Sequence, residues 1–188
     1  MMRIIIFDRN PAILSAFAEQ RDIELFHGTL DELEASAVVS PANSFGFMDG
    51  GVDYAYSALF GWGAQERVQA EIAKLPFGEL LVGQALTVST DNERIPWLIS
   101  APTMRVPKQI LDANDVMLAA RAATAEAVNK GLQSVAFPGM GTGCGMLAPE
   151  IAAAAMICGI SNAIRPMDKP ASWREAQYRH FHLQCNRT

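Results

Sequence analysis

Twice in this chain a short, β-branched apolar run stops at a proline and opens into a loop too rich in glycine to continue as strand or helix. The first is VVSPANSFGFMDGGVD, Val38 to Asp53; the second is VAFPGMGTGCGM, Val135 to Met146. A helix-forming stretch follows each loop, so both read as strand, bare backbone, helix. That succession is the unit of an α/β fold in which loops collect at the carboxyl ends of the strands. A loop that only joins a strand to a helix seldom needs so much backbone freedom, so both loops point to something approaching the main chain closely.

The rest of the chain keeps the same alternation. Arg3 to Phe7 (RIIIF) is short and continuously apolar, as a strand buried on both faces requires. Asn10-Pro11 follows as a helix cap and first turn, with Ile13 and Phe17 on one face. Asp22 to Phe26, Ala35 to Val39, Leu80 to Ser89, Trp97 to Ala101 and Ser134 to Phe137 read as further strands. Val52 to Phe60, Ala64 to Leu75, Asp115 to Asn129 and Pro149 to Ala163 read as helices. The last two are rich in alanine, which permits close packing. In the polar tail after Met167, Tyr178 to Leu183 reads as a final strand, which would turn His180 and His182 the same way. The expected fold is a three-layer α/β/α sandwich around a central mixed sheet, with residues 1–188 forming one domain.

Composition supports a folded protein and removes several classes. Half of the 188 residues are apolar and 19% are charged, the balance of a globular chain. A net charge of −5 argues against general nucleic-acid binding, which needs a basic surface. An acidic chain can nonetheless hold an anion when backbone amides build the pocket. No stretch reaches the roughly 18 to 20 apolar residues of a membrane span. The opening MMRIIIFDRN lacks the long apolar core of a secretory signal. Cys144, Cys158 and Cys185 are odd in number and far apart, so the expectation is a cytoplasmic protein with unbridged thiols and no membrane partner.

The second loop carries glycine at 139, 141, 143 and 145. Its amides are free to turn inward onto phosphate, helped by the partial positive charge of the helix that follows. It is not the dinucleotide fingerprint G-x-G-x-x-G, because Met146 stands where the third glycine counted from Gly141 belongs. It is not a P-loop either, for no Lys-Ser or Lys-Thr follows.

Taken together and in this order, the two loops resemble the macrodomain family, which binds ADP-ribose in a cleft of a three-layer α/β/α sandwich. The family's Asn-Ala-Ala-Asn, Gly-Gly-Gly-Val-Asp and Ser-Thr-Gly elements appear as Ser40-Pro41-Ala42-Asn43, Asp49-Gly50-Gly51-Val52-Asp53 and Gly141-Thr142-Gly143. The resemblance runs from about Phe26 to Ile160. It implies that Asn43 bonds the distal ribose, and that Gly50, Gly51 and Val52 bring amides to that ribose and the nearer phosphate. Gly141, Thr142, Gly143, Cys144 and Gly145 would then surround the diphosphate from the other side. Without the second loop, Asn43 reads first as a turn stabiliser after Pro41.

Four departures bear on what the cleft does. Family members often anchor the adenine amino group with an aspartate before the first loop; here Thr29 stands in that place, with Asp31 close by. An aromatic usual just beyond the phosphate loop is absent, which leaves Phe45 or Phe47 to pack on ribose or simply on the protein. Hydrolysing members carry a histidine four residues after the aspartate, where the two can share a water. Here Asp53 is followed by Ser57, and Ser40 replaces the first asparagine. Two readings of Asp53 therefore stay open: it activates water at the distal ribose, or it only favours the helix N-terminus.

The expected function is binding of ADP-ribose or an ADP-ribosylated substrate, with metal-free hydrolysis of a bond at the distal ribose by Asn43 and Asp53. No cofactor is implied, and His180 and His182 lack a third ligand for a metal. The alternatives are a reader that releases ADP-ribose unchanged and a pocket for another nucleotide. Cys144 reads as a small filler, Arg105 as a solvated side chain, and Trp62, Trp97 and Trp173 as core or rim.

Overall fold

The structure, a computed structural model, describes residues 2–183. Its sheet has six strands: β1 (Arg3–Asp8), β2 (Ile23–His27), β3 (Ala37–Ser40), β4 (Leu86–Ser89), β5 (Trp97–Ser100) and β6 (Ser134–Phe137). They lie in the order β2-β1-β6-β3-β5-β4. All neighbours run parallel except β4, which pairs antiparallel with β5 at one edge. The sheet is mixed, as expected. Its inner strands are apolar on both faces because helices cover both.

The alternation of side chains along each strand divides the core in two. Ile4, Ile6, Val39, Ile99, Val135 and Phe137 face one layer, formed by α1 (Pro11–Ser15), α4 (Asn114–Asn129) and α5 (Pro149–Ile164). Ile5, Phe7, Val38, Leu98 and Ala136 face the other, formed by α2 (Gly51–Phe60) and α3 (Gly63–Ile72). The α4–α5 contact is as close as its alanines suggest. A Cβ on Gly159 would lie 2.3 Å from the carbonyl oxygen of Met117, so only glycine fits where the two helices cross. At α1, the Asn10 side chain accepts from the Ala12 amide at 3.0 Å, and Pro11 opens the first turn.

Two expectations need correction. Leu80 to Ser89 is a strand only from Leu86 onward. Before that, the Leu80 amide donates to the carbonyl of Ser44 at 2.9 Å, and the chain turns at Gly83, whose φ is +91°. The first half of the run is thus spent on securing the Asn43 loop. The tail forms a helix rather than a strand: α6 (Trp173–Phe181) starts where Ser172 Oγ accepts from the Glu175 amide and Glu175 accepts from the Ala171 amide. This reciprocal cap is written in the sequence as Ser172 followed three residues later by Glu175. His180 and His182 therefore diverge instead of sharing a face. His180 Nε2 lies 3.7 Å from Asp112, and the His182 ring contacts the Tyr178 carbonyl at 2.9 Å. Among the described residues no group of three His, Cys, Asp or Glu is placed to hold a metal ion. None of the described helices is long and apolar enough to cross a membrane. Neither Cys144 nor Cys158 is in a disulfide; Cys185 lies outside the described residues.

Candidate functional site

A cleft of about 1300 Å³ opens at the carboxyl ends of β1, β2, β3 and β6. Parallel strands end on the same side of the sheet, so the loops after them converge there. The two glycine loops, separated by about eighty residues of chain, become opposite walls of one cavity. Thr29, Asn43, Gly50, Gly51, Val52, Asp53, Gly141, Thr142, Gly143, Cys144 and Gly145 all line it.

The glycines serve different ends. Gly141 has φ +79°, and a Cβ there would sit 2.7 Å from Val116 and 3.2 Å from Leu147; at Gly145 it would lie 2.5 Å from the carbonyl of Gly141. These two fold the loop onto itself, which the Leu147 amide completes by donating to the Gly141 carbonyl at 3.0 Å. At Gly50, Gly51 and Gly143 an added Cβ meets nothing within 4 Å. There the missing side chain leaves open the approach to the backbone. The amides of Thr142, Gly143, Cys144 and Gly145 donate to no protein group among the described residues, and neither do those of Gly50, Gly51 and Val52. The last three are the unpaired donors expected at the start of α2. Seven unpaired amides on the two walls of an open cleft form an anion-binding lining, with Arg9 the basic side chain beside them.

Asp53 lies in the first turn of α2 and is only 8% exposed. Its Oδ1 accepts a hydrogen bond from Ser40 Oγ at 2.6 Å. Burial pushes the Asp53 carboxyl up to about 7, and the Ser40 hydrogen bond holds back part of the rise. Beneath it, the fully buried Tyr56 donates to the carbonyl of Val39 at 2.8 Å. Burial, then the charges of Asp53 and Asp8, pushes the Tyr56 phenol well above its ordinary value. Ser57, four residues after Asp53, is also buried and donates to the Met48 carbonyl at 2.8 Å. It ties down the loop before α2 and offers nothing to the cleft.

Asn43 spends most of its side chain on its own loop. Its Nδ2 donates to the Phe47 carbonyl at 2.8 Å, while its Oδ1 accepts from the amides of Phe45 and Phe47 at 3.1 and 3.3 Å. One N–H remains for a ligand. Thr29 caps a short 3₁₀ turn (Leu30–Glu32), and both its amide and its hydroxyl donate to Glu32 Oε2, so its oxygen can only accept. Of the two aromatics, Phe47 lines the cleft; Phe45 lies under the Arg105 guanidinium, 5.1 Å from its carbon. Arg105 is also paired with Glu79, through contacts of 2.6 and 2.8 Å, and so braces the Asn43 loop. Cys144 is exposed at the cleft.

Two features escaped the sequence reading. Asp8, at the end of β1, lines the cleft and accepts from the Asn10 amide at 2.8 Å and the Gly139 amide at 3.3 Å. The only signal was a carboxylate ending a buried strand. The other is the Ser40–Asp53 pair: Ser40 had registered as a missing asparagine, not as a partner.

The sandwich and its amide-lined cleft define the class, and comparison with known proteins agrees. A family model described as Macro domain matches residues 39–156. The chain belongs to the macro domain family. It is 38% identical over 136 residues to an uncharacterised protein of Aquifex aeolicus, covering 72% of this chain and 79% of the relative. A protein of Aeropyrum pernix, also uncharacterised, is 36% identical over 120 residues, covering 64% of this chain and 60% of the relative. Among solved structures, an Oceanobacillus iheyensis macrodomain with ADP superposes with a TM-score of 0.61 at 21% identity, over 76% of this chain and 80% of that one. The macrodomain of Mycobacterium tuberculosis DarG gives 0.59 at 20% identity, over 70% and 85%. A mutant of the Oceanobacillus macrodomain with ADPR gives 0.60 at 20% identity, over 76% and 81%. The matched segment leaves out β1 and β2, although β1 lies inside the sheet, between β2 and β6.

Proposed function

We propose that the cleft binds ADP-ribose or an ADP-ribose derivative and hydrolyses a bond at the distal ribose. The bond is that of an ADP-ribosyl ester, an acetylated ADP-ribose or the terminal phosphate form. The observation that carries this reading is the meeting of the two sets of unpaired amides across one cleft, with Asp53 between the sheet and the start of α2. In this reading Gly141 to Gly145 hold the diphosphate, and Gly50, Gly51 and Val52 hold the nearer phosphate and the distal ribose. The remaining N–H of Asn43 positions that sugar. Asp53 takes the proton of the attacking water. A carboxylate that titrates near neutrality is strong enough as a base to do so and is still substantially ionised at pH 7. The fixed amides need no reorganisation as charge develops on the substrate. Thr29 and Asp31 stand at the end of the cleft assigned to the base.

One observation favours a reader that releases ADP-ribose unchanged: Ser57 is turned to Met48, so it supplies no second acid–base group beside Asp53. Calorimetry with ADP-ribose, ADP and other nucleotides tests which ligand the cleft takes, and tight binding of ADP-ribose is expected. Hydrolysis assays on the intact protein, Asn43→Ala and Asp53→Ala then separate enzyme from reader. Turnover retained in both variants removes the catalytic assignment. Binding without turnover on any conjugate establishes the reader.

A further inference from the structure

Ser40 ends β3, a strand whose other residues, Ala37, Val38 and Val39, are wholly apolar and wholly buried. It is 1% exposed and does not reach the cleft. A buried hydroxyl on an apolar strand needs a partner, and this one has Asp53 Oδ1 at 2.6 Å, at the short end for a hydrogen bond to a carboxylate. The contact crosses from sheet to helix. Among the described residues it is also the one side-chain hydrogen bond that acts on Asp53, a side chain that does line the cleft.

We propose that Ser40 is the positioning residue of the site: its hydroxyl anchors Oδ1 of Asp53 to the sheet, leaves Oδ2 for the ligand's water, and favours the ionised carboxylate. The role deepens the hydrolytic reading of Asp53 and rests on it. The other groups around the carboxylate do not duplicate it. On α2, Tyr56 gives its proton to Val39, and Ser57 gives its proton to Met48. At the end of β1, Asp8 is another acid and Arg9 the basic group lining the cleft, and Asp49 and Asp31 are the further carboxylates there. No cation is among the groups acting on Asp53. Without the Ser40 proton, burial acts on Asp53 unopposed and the carboxyl stays protonated to higher pH.

A built-in control lies alongside. Ser100 is the register partner of Ser40 on β5, faces the same side of the sheet and is equally buried, and its Oγ has no hydrogen-bond partner among the described residues. Trimming Ser100 therefore removes the same atoms from the neighbouring position without touching the Asp53 contact.

The test follows the Asp53 carboxyl carbon by NMR against pH in the intact protein and in Ser40→Ala, Ser40→Thr and Ser100→Ala, alongside kcat and KM across the same range. In Ser40→Ala the Asp53 midpoint should rise by about one to two pH units, the worth of a hydrogen bond to a charged group. At pH 7, kcat should then fall about 5- to 50-fold by loss of ionised base, with KM little changed and activity recovering as pH rises. Ser40→Thr, which keeps the hydroxyl, should restore the midpoint, and Ser100→Ala should leave it in place. An unmoved midpoint in Ser40→Ala, or a loss of kcat equal at every pH, overturns the proposal. If the intact protein turns over no conjugate, the titration still decides. A raised midpoint then upholds the hold of Ser40 on Asp53 while the hydrolytic reading falls.

Discussion

Replacing Asp53 by asparagine keeps the shape of the side chain and its acceptor for Ser40 but removes the charge. The consequence for stability follows from burial. In the unfolded chain the carboxyl titrates near 3.8; in the folded protein burial raises it to about 7. Between those values the folded state binds a proton that the unfolded state has released, so rising pH favours unfolding. The stabilising contribution is whole below 3.8 and is lost as pH climbs through about 7. At 1.36 kcal/mol per unit, the native protein loses about 2.5 kcal/mol from this group alone between pH 5 and pH 8. Solvent screening reduces this little, because Asp53 is 8% exposed. The variant has nothing to titrate there. Urea unfolding followed by tryptophan fluorescence should therefore show Asp53→Asn gaining on the native protein by about 2.5 kcal/mol between pH 5 and pH 8. Tyr56, on which the Asp53 charge also acts, titrates well above this range, so the change in the difference isolates Asp53. A gap that is the same at both pH values would mean that the carboxyl is not raised, and the case for Asp53 as a base near neutrality would fail with it.

The two kinds of glycine in the second loop should separate folding from binding. Gly143→Ala points into open space and should leave the melting temperature unchanged while weakening ADP-ribose binding about tenfold or more, measured by calorimetry, because the methyl stands over unpaired amides. Gly141→Ala, at φ +79° and against Val116, should cost about 1–3 kcal/mol of stability in urea unfolding even without ligand. Gly159→Ala should destabilise by about 2 kcal/mol although alanine is the better helix former, because its methyl meets the Met117 carbonyl. A stabilised Gly159→Ala protein would show that α4 and α5 can separate freely.

What could be read directly was local. The apolar runs at Arg3, Val38, Trp97 and Ser134 are strands because their neighbours along the chain already demand burial on both faces. The two proline–glycine loops announce themselves as bare backbone following a strand, and with them came the cleft and its family. The helix over Trp173–Phe181 was equally local: its Ser172–Glu175 cap is present in the sequence, although Tyr178 to Leu183 reads there as a strand.

Tertiary structure decided the rest, because it depends on which distant groups meet. Asp8 reaches the cleft only because β1, the first strand in the chain, is laid between β2 and β6. Ser40 and Asp53 are 13 residues apart and become partners only when α2 packs back over the end of β3. Asn43 suits a sugar or a turn until the loop closes around it and uses up most of its hydrogen bonds. Residue types and loop composition thus determined that this chain makes an α/β cleft walled by main-chain amides. The charge state of its one buried carboxylate in that wall was set by desolvation and by a single hydroxyl, and both arise only when the helix and the sheet come together.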